Sequence, residues 1–144
     1  MHPSRPAFAV ILLAMALAAA GCGPPAEKTV TVRGKVTDAG APLVVEGRDI
    51  GLGMVQIHFY RIEEAGGQSS DPYSALVQED GTFEIAGHSR PGIPPGKYRI
   101  AVYQWDPYPQ TDRLEGRFSE TESPIVREIS TDAELDLDLS RPEG

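Results

Sequence analysis

The chain has 144 residues, enough for one ordinary domain and little more. Its 13 Lys and Arg stand against 21 Asp and Glu, and the resulting formal net charge of −8 excludes the basic face that nucleic-acid binding requires. Because there is a single cysteine, an intramolecular disulfide and a metal site built from several cysteines are also excluded.

The N-terminus has the pattern of a secretory signal. Arg5 supplies a positive charge, and an uninterrupted apolar run at 7–20 (AFAVILLAMALAAA) follows it. A bilayer core needs about twenty apolar residues to be spanned by a helix, and this run is shorter. We therefore predict that residues 1–21 are a signal peptide that is removed.

The stretch at 19–22 (AAGC) resembles the lipobox of bacterial lipoproteins. The resemblance implies that a diacylglycerol is attached to the thiol of Cys22, that cleavage occurs before this residue, and that its new amino group is acylated. Residues 22–28 would then be the lipidated cysteine and a tether. Because Gly23 rather than Asp follows the cysteine, the resemblance favours the outer membrane over the inner one in a cell that has both. The alternative is an ordinary cleaved signal with a chance cysteine.

Seven short strands are predicted in the rest of the chain. They lie at 29–37, 54–62, 73–78, 82–86, 97–105, 124–130 and 134–140. In the first, Val30, Val32 and Val36 share one face and polar residues occupy the other, a period of two that indicates a half-buried strand. The second and fifth strands alternate in the same way. Their predicted inward residues are Val55, Ile57, Phe59, Tyr98, Ile100 and Val102.

Turn residues separate these strands. The Asp80-Gly81 pair between two apolar runs indicates a hairpin, and 91–96 (PGIPPG) indicates a second hard turn. The spacing predicts an all-β domain at 29–140, a single seven-stranded antiparallel β-sandwich, with a tail at 141–144.

Three stretches match one family in order and spacing. They are 32–43 (VRGKVTDAGAPL), 80–85 (DGTFEI) and 93–102 (IPPGKYRIAV), and they resemble carboxypeptidase regulatory-like domains, which have a transthyretin-like fold. The stretch at 116–124 (GRFSETESP) is similar to one found in small bacterial lipoproteins of this type. The resemblance implies a non-catalytic β-sandwich of the cell envelope. Residues 44–53 (VVEGRDIGLG) depart from the family by lengthening the first connection.

Catalytic and metal-binding patterns are weak. His58 is predicted on the polar face of a strand and His88 in a loop, and no H-x-H or H-E-x-x-H motif joins them. A hydrolase with the transthyretin-like fold ends in Tyr-Arg-Gly-Ser, whereas this chain ends at 140–144 in SRPEG. A G-x-S-x-G nucleophile elbow is also missing. We therefore predict no enzyme, no metal site and no cofactor.

The last strand carries an acidic cluster, formed by Asp132, Glu134, Asp136 and Asp138. One hypothesis is a calcium site, because hard cations bind several carboxylate oxygens on a tight loop. The other is a charged outer face that protects an edge strand from pairing with other chains.

Aromatic residues form the best candidate for a binding surface. Tyr103 and Trp105 fall on the strand face opposite Ile100, and Tyr108 follows in the next segment. An exposed row of such rings can stack sugars or anchor a partner protein. Alternatively, the rings only pack the long segment after the strand onto the sheet.

Together these patterns predict a lipid-anchored protein of the cell membrane or outer membrane, with its domain facing the periplasm or the exterior. The domain is expected to be a non-catalytic interaction or structural module, with an envelope protein or polysaccharide as partner. A carbohydrate-binding module that uses Tyr103, Trp105 and Tyr108 is the alternative, and a transthyretin-like hydrolase is a third hypothesis.

Overall fold

The alternating segments of the sequence form strands in the computed structural model, which describes residues 26–143. Within that range there are seven strands: β1 (Val32–Thr37), β2 (Met54–Arg61), β3 (Tyr73–Val77), β4 (Thr82–Ile85), β5 (Gly96–Trp105), β6 (Val126–Ile129) and β7 (Ala133–Asp138). A single-turn 3-10 helix at Arg48–Ile50 lies between β1 and β2. The described residues contain no helix of a length and hydropathy suited to crossing a bilayer. The predicted signal peptide and Cys22 lie outside the described residues.

The strands form two sheets, with the orders β4-β1-β7 and β3-β2-β5-β6. Four of the five described strand pairs are antiparallel, but β1 and β7 are parallel, so the prediction of a purely antiparallel arrangement was wrong. The reason is the short connection between β6 and β7. It passes from the four-stranded sheet to the three-stranded one, so β7 is added beside β1 instead of forming an antiparallel hairpin with β6.

Gly34 permits the close approach of β1 to β7. The two residues Gly34 and Leu135 are partners in the parallel register. A Cβ atom at position 34 would lie 2.0 Å from the carbonyl oxygen of Leu135, which is far inside van der Waals contact. A side chain here would therefore force the two strands apart.

The inward faces of both sheets meet in one hydrophobic core among the described residues. Its fully buried members include Val32 and Val36 of β1, Ile57 of β2 and Ile100 of β5. The inward residues predicted for the first, second and fifth strands are all buried, which confirms the alternation for these strands. Polar neighbours on the opposite faces stay partly or fully exposed.

The hydroxyl group of Tyr98 is satisfied inside this core. The ring is fully buried, and its hydroxyl donates a hydrogen bond to the carbonyl oxygen of Pro94 at 2.6 Å. Burial raises the pKa of Tyr98 to about 12, so the phenol stays neutral across the physiological range. This hydrogen bond ties the turn at 94–96 (PPG) to the beginning of strand β5.

The segment at 44–53 contains a closed turn, and the second strand begins directly after it at residue 54, as predicted. Gly47 and Gly51 flank the 3-10 helix in left-handed conformations, which glycine adopts without steric cost. The amides of Leu52 and Gly53 both donate to the carbonyl oxygen of Gly47. The chain therefore returns to the sheet at Met54, as the sequence pattern indicates.

Two ends of the molecule are set by these connections. The chain enters next to the start of β5, where Val30 and Ile93 exchange two backbone hydrogen bonds. We call this the proximal end. The segment at 44–53 and the residues that follow Trp105 lie at the other end of β5, which we call the distal end. Ten strand residues span about 30 Å, so the two ends are well separated.

Candidate functional site

A row of aromatic rings lies on the outer face of the four-stranded sheet. Because β2 alternates, His58 and Tyr60 point away from the core while Ile57 and Phe59 are buried in it. The register of β2 against β5 places these rings beside the outward residues of the neighbouring strand. The resulting set, which we call the aromatic row, is Tyr60, His58, Tyr103, Trp105 and Tyr108.

The rings of the row contact one another in sequence from the proximal to the distal end. His58 stacks on Tyr60 at 6.2 Å between centroids and meets Tyr103 edge to face at 5.4 Å. Tyr103 and Trp105 are stacked at 5.4 Å with an angle of 10° between their planes. Tyr108 contacts Trp105 edge to face at 6.0 Å. The five rings therefore form one connected surface.

Polar side chains hold the rings in place. The indole N–H of Trp105 donates to Oε1 of Gln56 at 2.9 Å, and the hydroxyl of Tyr103 donates to the carboxylate of Glu120. Nδ1 of His58 lies 2.8 Å from the hydroxyl oxygen of Ser74 on β3. Each hydrogen bond fixes a ring orientation that stacking alone would leave free.

The row differs from a flat exposed platform. Tyr103 and Trp105 are half-buried, whereas Tyr108 is 40% exposed. The cause is the long segment between β5 and β6, which folds back along β5. The amide of Val102 donates to the carbonyl oxygen of Phe118 at 2.9 Å, and this pairing brings Glu120 to the row. The rings therefore both pack this segment and present their remaining surface to solvent.

His58 lies on the outer face of β2, the polar face predicted for it, but it is not fully solvated. Its ring is half-buried in the row, and this burial lowers its pKa below the ordinary value of 6.5, against an opposing effect of the Glu120 carboxylate. Burial raises the pKa of Tyr60, and burial together with the hydrogen bond to Glu120 raises that of Tyr103. These shifts all favour the neutral forms of His58, Tyr60 and Tyr103.

A second apolar surface adjoins the row at the distal end. Val44, Ile50 and Leu52 are 79%, 69% and 52% exposed. The amide of Tyr108 donates to the carbonyl oxygen of Leu52 at 2.7 Å, and Nε2 of Gln104 donates to the carbonyl oxygen of Val44 at 2.7 Å. We call Val44, Ile50, Leu52 and Tyr108 the distal patch. It is continuous with the aromatic row through Tyr108.

Sequence reasoning missed three of the four residues of the distal patch. The segment at 44–53 was recognised only as a lengthened connection. Its signal was nevertheless in the sequence: four apolar side chains stand among three glycines, in a stretch that has neither helical nor strand periodicity. Such residues have no regular element to bury them.

Two residues of the acidic cluster make hydrogen bonds that hold the edge strand β7 against β1. β7 lies at the edge of its sheet, as that hypothesis predicts. Asp132 accepts a hydrogen bond from the amide of Thr31 at 2.8 Å, and Asp138 accepts one from the amide of Ala39 at 2.9 Å. Hydrogen bonds from Ser140 lower the pKa of Asp138 to about 2. Within residues 26–143 no group of three or more His, Cys, Asp or Glu residues could hold a metal ion.

Two open hollows lie away from the row. The larger, about 600 Å³, is lined by both charge signs, including Arg33, Glu84 and Glu134. The smaller, about 280 Å³, lies at the proximal end beside His88 and Arg90. His88, predicted in a loop and found there, lies 3.4 Å from the carboxylate of Asp71, and this contact links two exposed side chains.

Comparisons of this chain with family models, with curated proteins and with solved structures gave no match. The resemblance of residues 32–43, 80–85 and 93–102 to carboxypeptidase regulatory-like domains therefore stays a prediction.

Proposed function

We propose that this chain is a lipid-anchored protein of the cell envelope whose domain is a non-catalytic interaction module. In this proposal Cys22 carries the acyl chains, and residues 29–140 form a β-sandwich of the transthyretin-like, carboxypeptidase regulatory-like kind. The two-sheet arrangement around a shared core supports the fold, and the lipobox-like stretch before Cys22 supports the anchor.

The observation that carries the interaction role is the continuity of the aromatic row with the distal patch. The core is complete without these side chains, since both sheets already bury their inward faces. Tyr and Trp are enriched in the centres of protein interfaces because each buries a large area and loses little conformational freedom. An exposed apolar surface rimmed by polar groups is typical of an interaction site.

The tether determines where this surface would act. Residues 23–28 reach roughly 20 Å when extended, which keeps the proximal end close to the headgroups. The distal patch lies about 30 Å along β5 from the proximal end, where the tether joins the domain. The acidic net charge opposes adsorption of the domain onto an anionic lipid surface.

A carbohydrate-binding module is the second candidate. One observation favours it: the amide of Gln56 and the carboxylate of Glu120 lie beside Trp105 and Tyr103. Sugar sites combine an aromatic ring with such hydrogen-bonding groups. The stacking of Trp105 on Tyr103 occupies one ring face of each, which leaves less aromatic surface for a sugar.

Lipid labelling tests the anchor. We expect wild-type protein made in a bacterial host with a labelled fatty acid to carry the label and to sediment with membranes. The variant Cys22→Ala should lose both properties and keep its fold, because position 22 precedes the domain. An unlabelled wild-type protein that is released into the medium would contradict the anchor and leave a secreted module.

Tryptophan fluorescence separates the two binding candidates, because Trp105 is the only tryptophan of the chain. A module for protein partners predicts no change in emission with any member of a panel of envelope polysaccharides. A saturable change that Tyr108→Ala removes and Tyr73→Phe retains would instead establish carbohydrate binding at the row.

A further inference from the structure

The distal patch is unusual in how its apolar side chains are held. Ile50 and Leu52 belong to a turn that glycine conformations and three hydrogen bonds to Gly47 keep closed, and the carbonyl oxygen of Val44 accepts a hydrogen bond from Nε2 of Gln104. A further hydrogen bond from Tyr108 to the Leu52 carbonyl oxygen joins this turn to the segment after β5. The backbone that presents the patch is thus already in place, which reduces the entropic cost of binding.

Acidic side chains surround this patch. Glu46 and Asp49 lie within the turn itself, and Asp106 lies beside Tyr108. The amide of Glu46 donates to Oδ2 of Asp106 at 3.4 Å, so both segments bring their acids to the same place. Glu79 and Asp80 form the turn after β3, also at the distal end.

Three basic side chains lie near these acids: Arg48, Arg113 and Lys35, the last of them beside Asp80. Arg48 is half-buried, and its Nη1 donates to the carbonyl oxygen of Val77 at 2.8 Å. Nη2 of Arg113 lies 3.8 Å from Oδ2 of Asp106. The five carboxylates of these segments outnumber the three cations, so the rim carries a net negative charge toward an approaching partner.

We propose that the distal patch is a docking site for a protein partner that presents an apolar or aromatic side chain flanked by Lys or Arg. The apolar side chain covers Ile50, Leu52 and Tyr108, and the basic groups meet the acidic rim. The position of the patch away from the anchoring membrane rests on the proposed function, whereas its preference for a basic partner does not. Charge complementarity of this kind raises association rates and excludes acidic partners.

The same charges argue against two other occupants. A second copy of this chain would bring an identical acidic rim against the first, and like charges at an interface are unfavourable. An anionic membrane surface would be repelled in the same way. A separate protein with the opposite charge satisfies both the apolar centre and the rim.

Peptide selection tests the proposal. The probe is a random peptide library displayed on phage, selected against the full protein as it is recovered from the bacterial host, in phosphatidylcholine nanodiscs where it is lipidated and in buffer where it is not. Phage that also bind the variant Ile50→Ser/Leu52→Ser are removed. Both substituted side chains are largely exposed, so the variant should melt at the wild-type temperature. We expect the retained peptides to share an aromatic or aliphatic residue next to Lys or Arg.

Affinities of a retained peptide give the quantitative result. The variant Ile50→Ser/Leu52→Ser should weaken binding about ten-fold, the size expected for loss of a central apolar contact. Glu46→Gln/Asp49→Asn should weaken binding about three-fold and flatten its dependence on salt, because rim charges act mainly through long-range attraction. The matched control Glu134→Gln/Asp136→Asn, which removes two exposed acids from β7, should leave the affinity unchanged.

Each other outcome overturns the proposal. Retained peptides without a basic preference would contradict the chemistry of the partner, and an empty selection would contradict the docking site. Dimers in sedimentation that Ile50→Ser/Leu52→Ser dissociates would identify a second copy as the occupant. Binding of the Cys22→Ala protein to phosphatidylcholine vesicles that depends on Ile50 and Leu52 would identify a membrane. Because peptide binding is measured apart from lipid labelling, failure of the anchor and failure of the docking site are distinguishable.

Discussion

The two faces of the four-stranded sheet are built from the same strands and have different roles. On the inner face, Ile57 and Val102 are cross-strand partners and both are fully buried. On the outer face, the neighbouring pair Gln56 and Tyr103 is half-buried and hydrogen-bonded to other side chains. The inner face accounts for the fold by burial alone. The outer face carries more aromatic surface than the fold requires, and this excess is where we place binding.

Truncation of the inner face should have the largest effect on stability. Ile57→Ala removes buried methyl groups and leaves a cavity, and we expect it to lower the free energy of unfolding by about 3 kcal/mol. The matched control is Leu76→Ala on the outer face, where the side chain is 54% exposed. Urea unfolding should show a change several-fold smaller for the control. Equal losses in the two variants would contradict the distinction between the faces.

The buried hydroxyl of Tyr98 should have the next largest effect. Tyr98→Phe keeps the ring in the core but leaves the carbonyl oxygen of Pro94 without its hydrogen bond. An unsatisfied buried polar group costs about 1–2 kcal/mol, and thermal or urea unfolding measures this loss. Tyr108→Phe, whose ring is 40% exposed, is the control and should be neutral. An unchanged stability of Tyr98→Phe would mean that water replaces the lost donor.

Removal of the Trp105 ring from the row should cost less stability than either change in the core. Trp105→Ala deletes a half-buried ring and its hydrogen bond to Gln56, and we expect a loss of about 1 kcal/mol. The same variant should weaken a peptide selected on the distal patch, because Trp105 supports Tyr108 through their edge-to-face contact. Trp105→Phe should restore most of the affinity. If Trp105→Ala bound the peptide with full affinity, the aromatic row would make no contribution to binding at the distal patch.

The smallest effect should come from the titration of His58. Burial lowers its pKa in the folded protein, so the neutral form is favoured by folding. This contribution is present above the unfolded pKa of 6.5 and is lost as the pH falls through the lower folded value. Urea unfolding between neutral and acidic pH should therefore show a decline that His58→Gln removes and His88→Gln retains. If the free energy of unfolding declined equally in both variants, titratable groups other than His58 would be its cause.

The sequence predicts the inner face well because burial imposes a period of two. Val32, Ile57 and Ile100 were all identified in this way. The first strand was predicted to begin at residue 29 but begins at Val32, because Val30 makes only an isolated bridge to Ile93. The parallel pairing of β1 with β7 could not be predicted, since alternation carries no information about direction.

The outer face was predicted in part. Tyr103, Trp105 and Tyr108 are near each other in sequence, and the structure keeps them in contact. His58 and Tyr60 join them only through the register of β2 against β5, which a single sequence does not contain. The distal patch was missed for another reason: irregular segments have no period from which burial or exposure can be inferred.

Photocrosslinking in living cells tests most directly the division of roles in which binding takes place at the distal patch and not on the exposed face of the other sheet. A photoreactive amino acid would be placed at Ile50 in the distal patch and, in a separate protein, at Glu84 on the exposed face of the other sheet. We predict one discrete crosslinked product from position 50, lost when Leu52→Ser is added, and none from position 84. Identical products from both positions, or a product at position 84 alone, would contradict this division of roles.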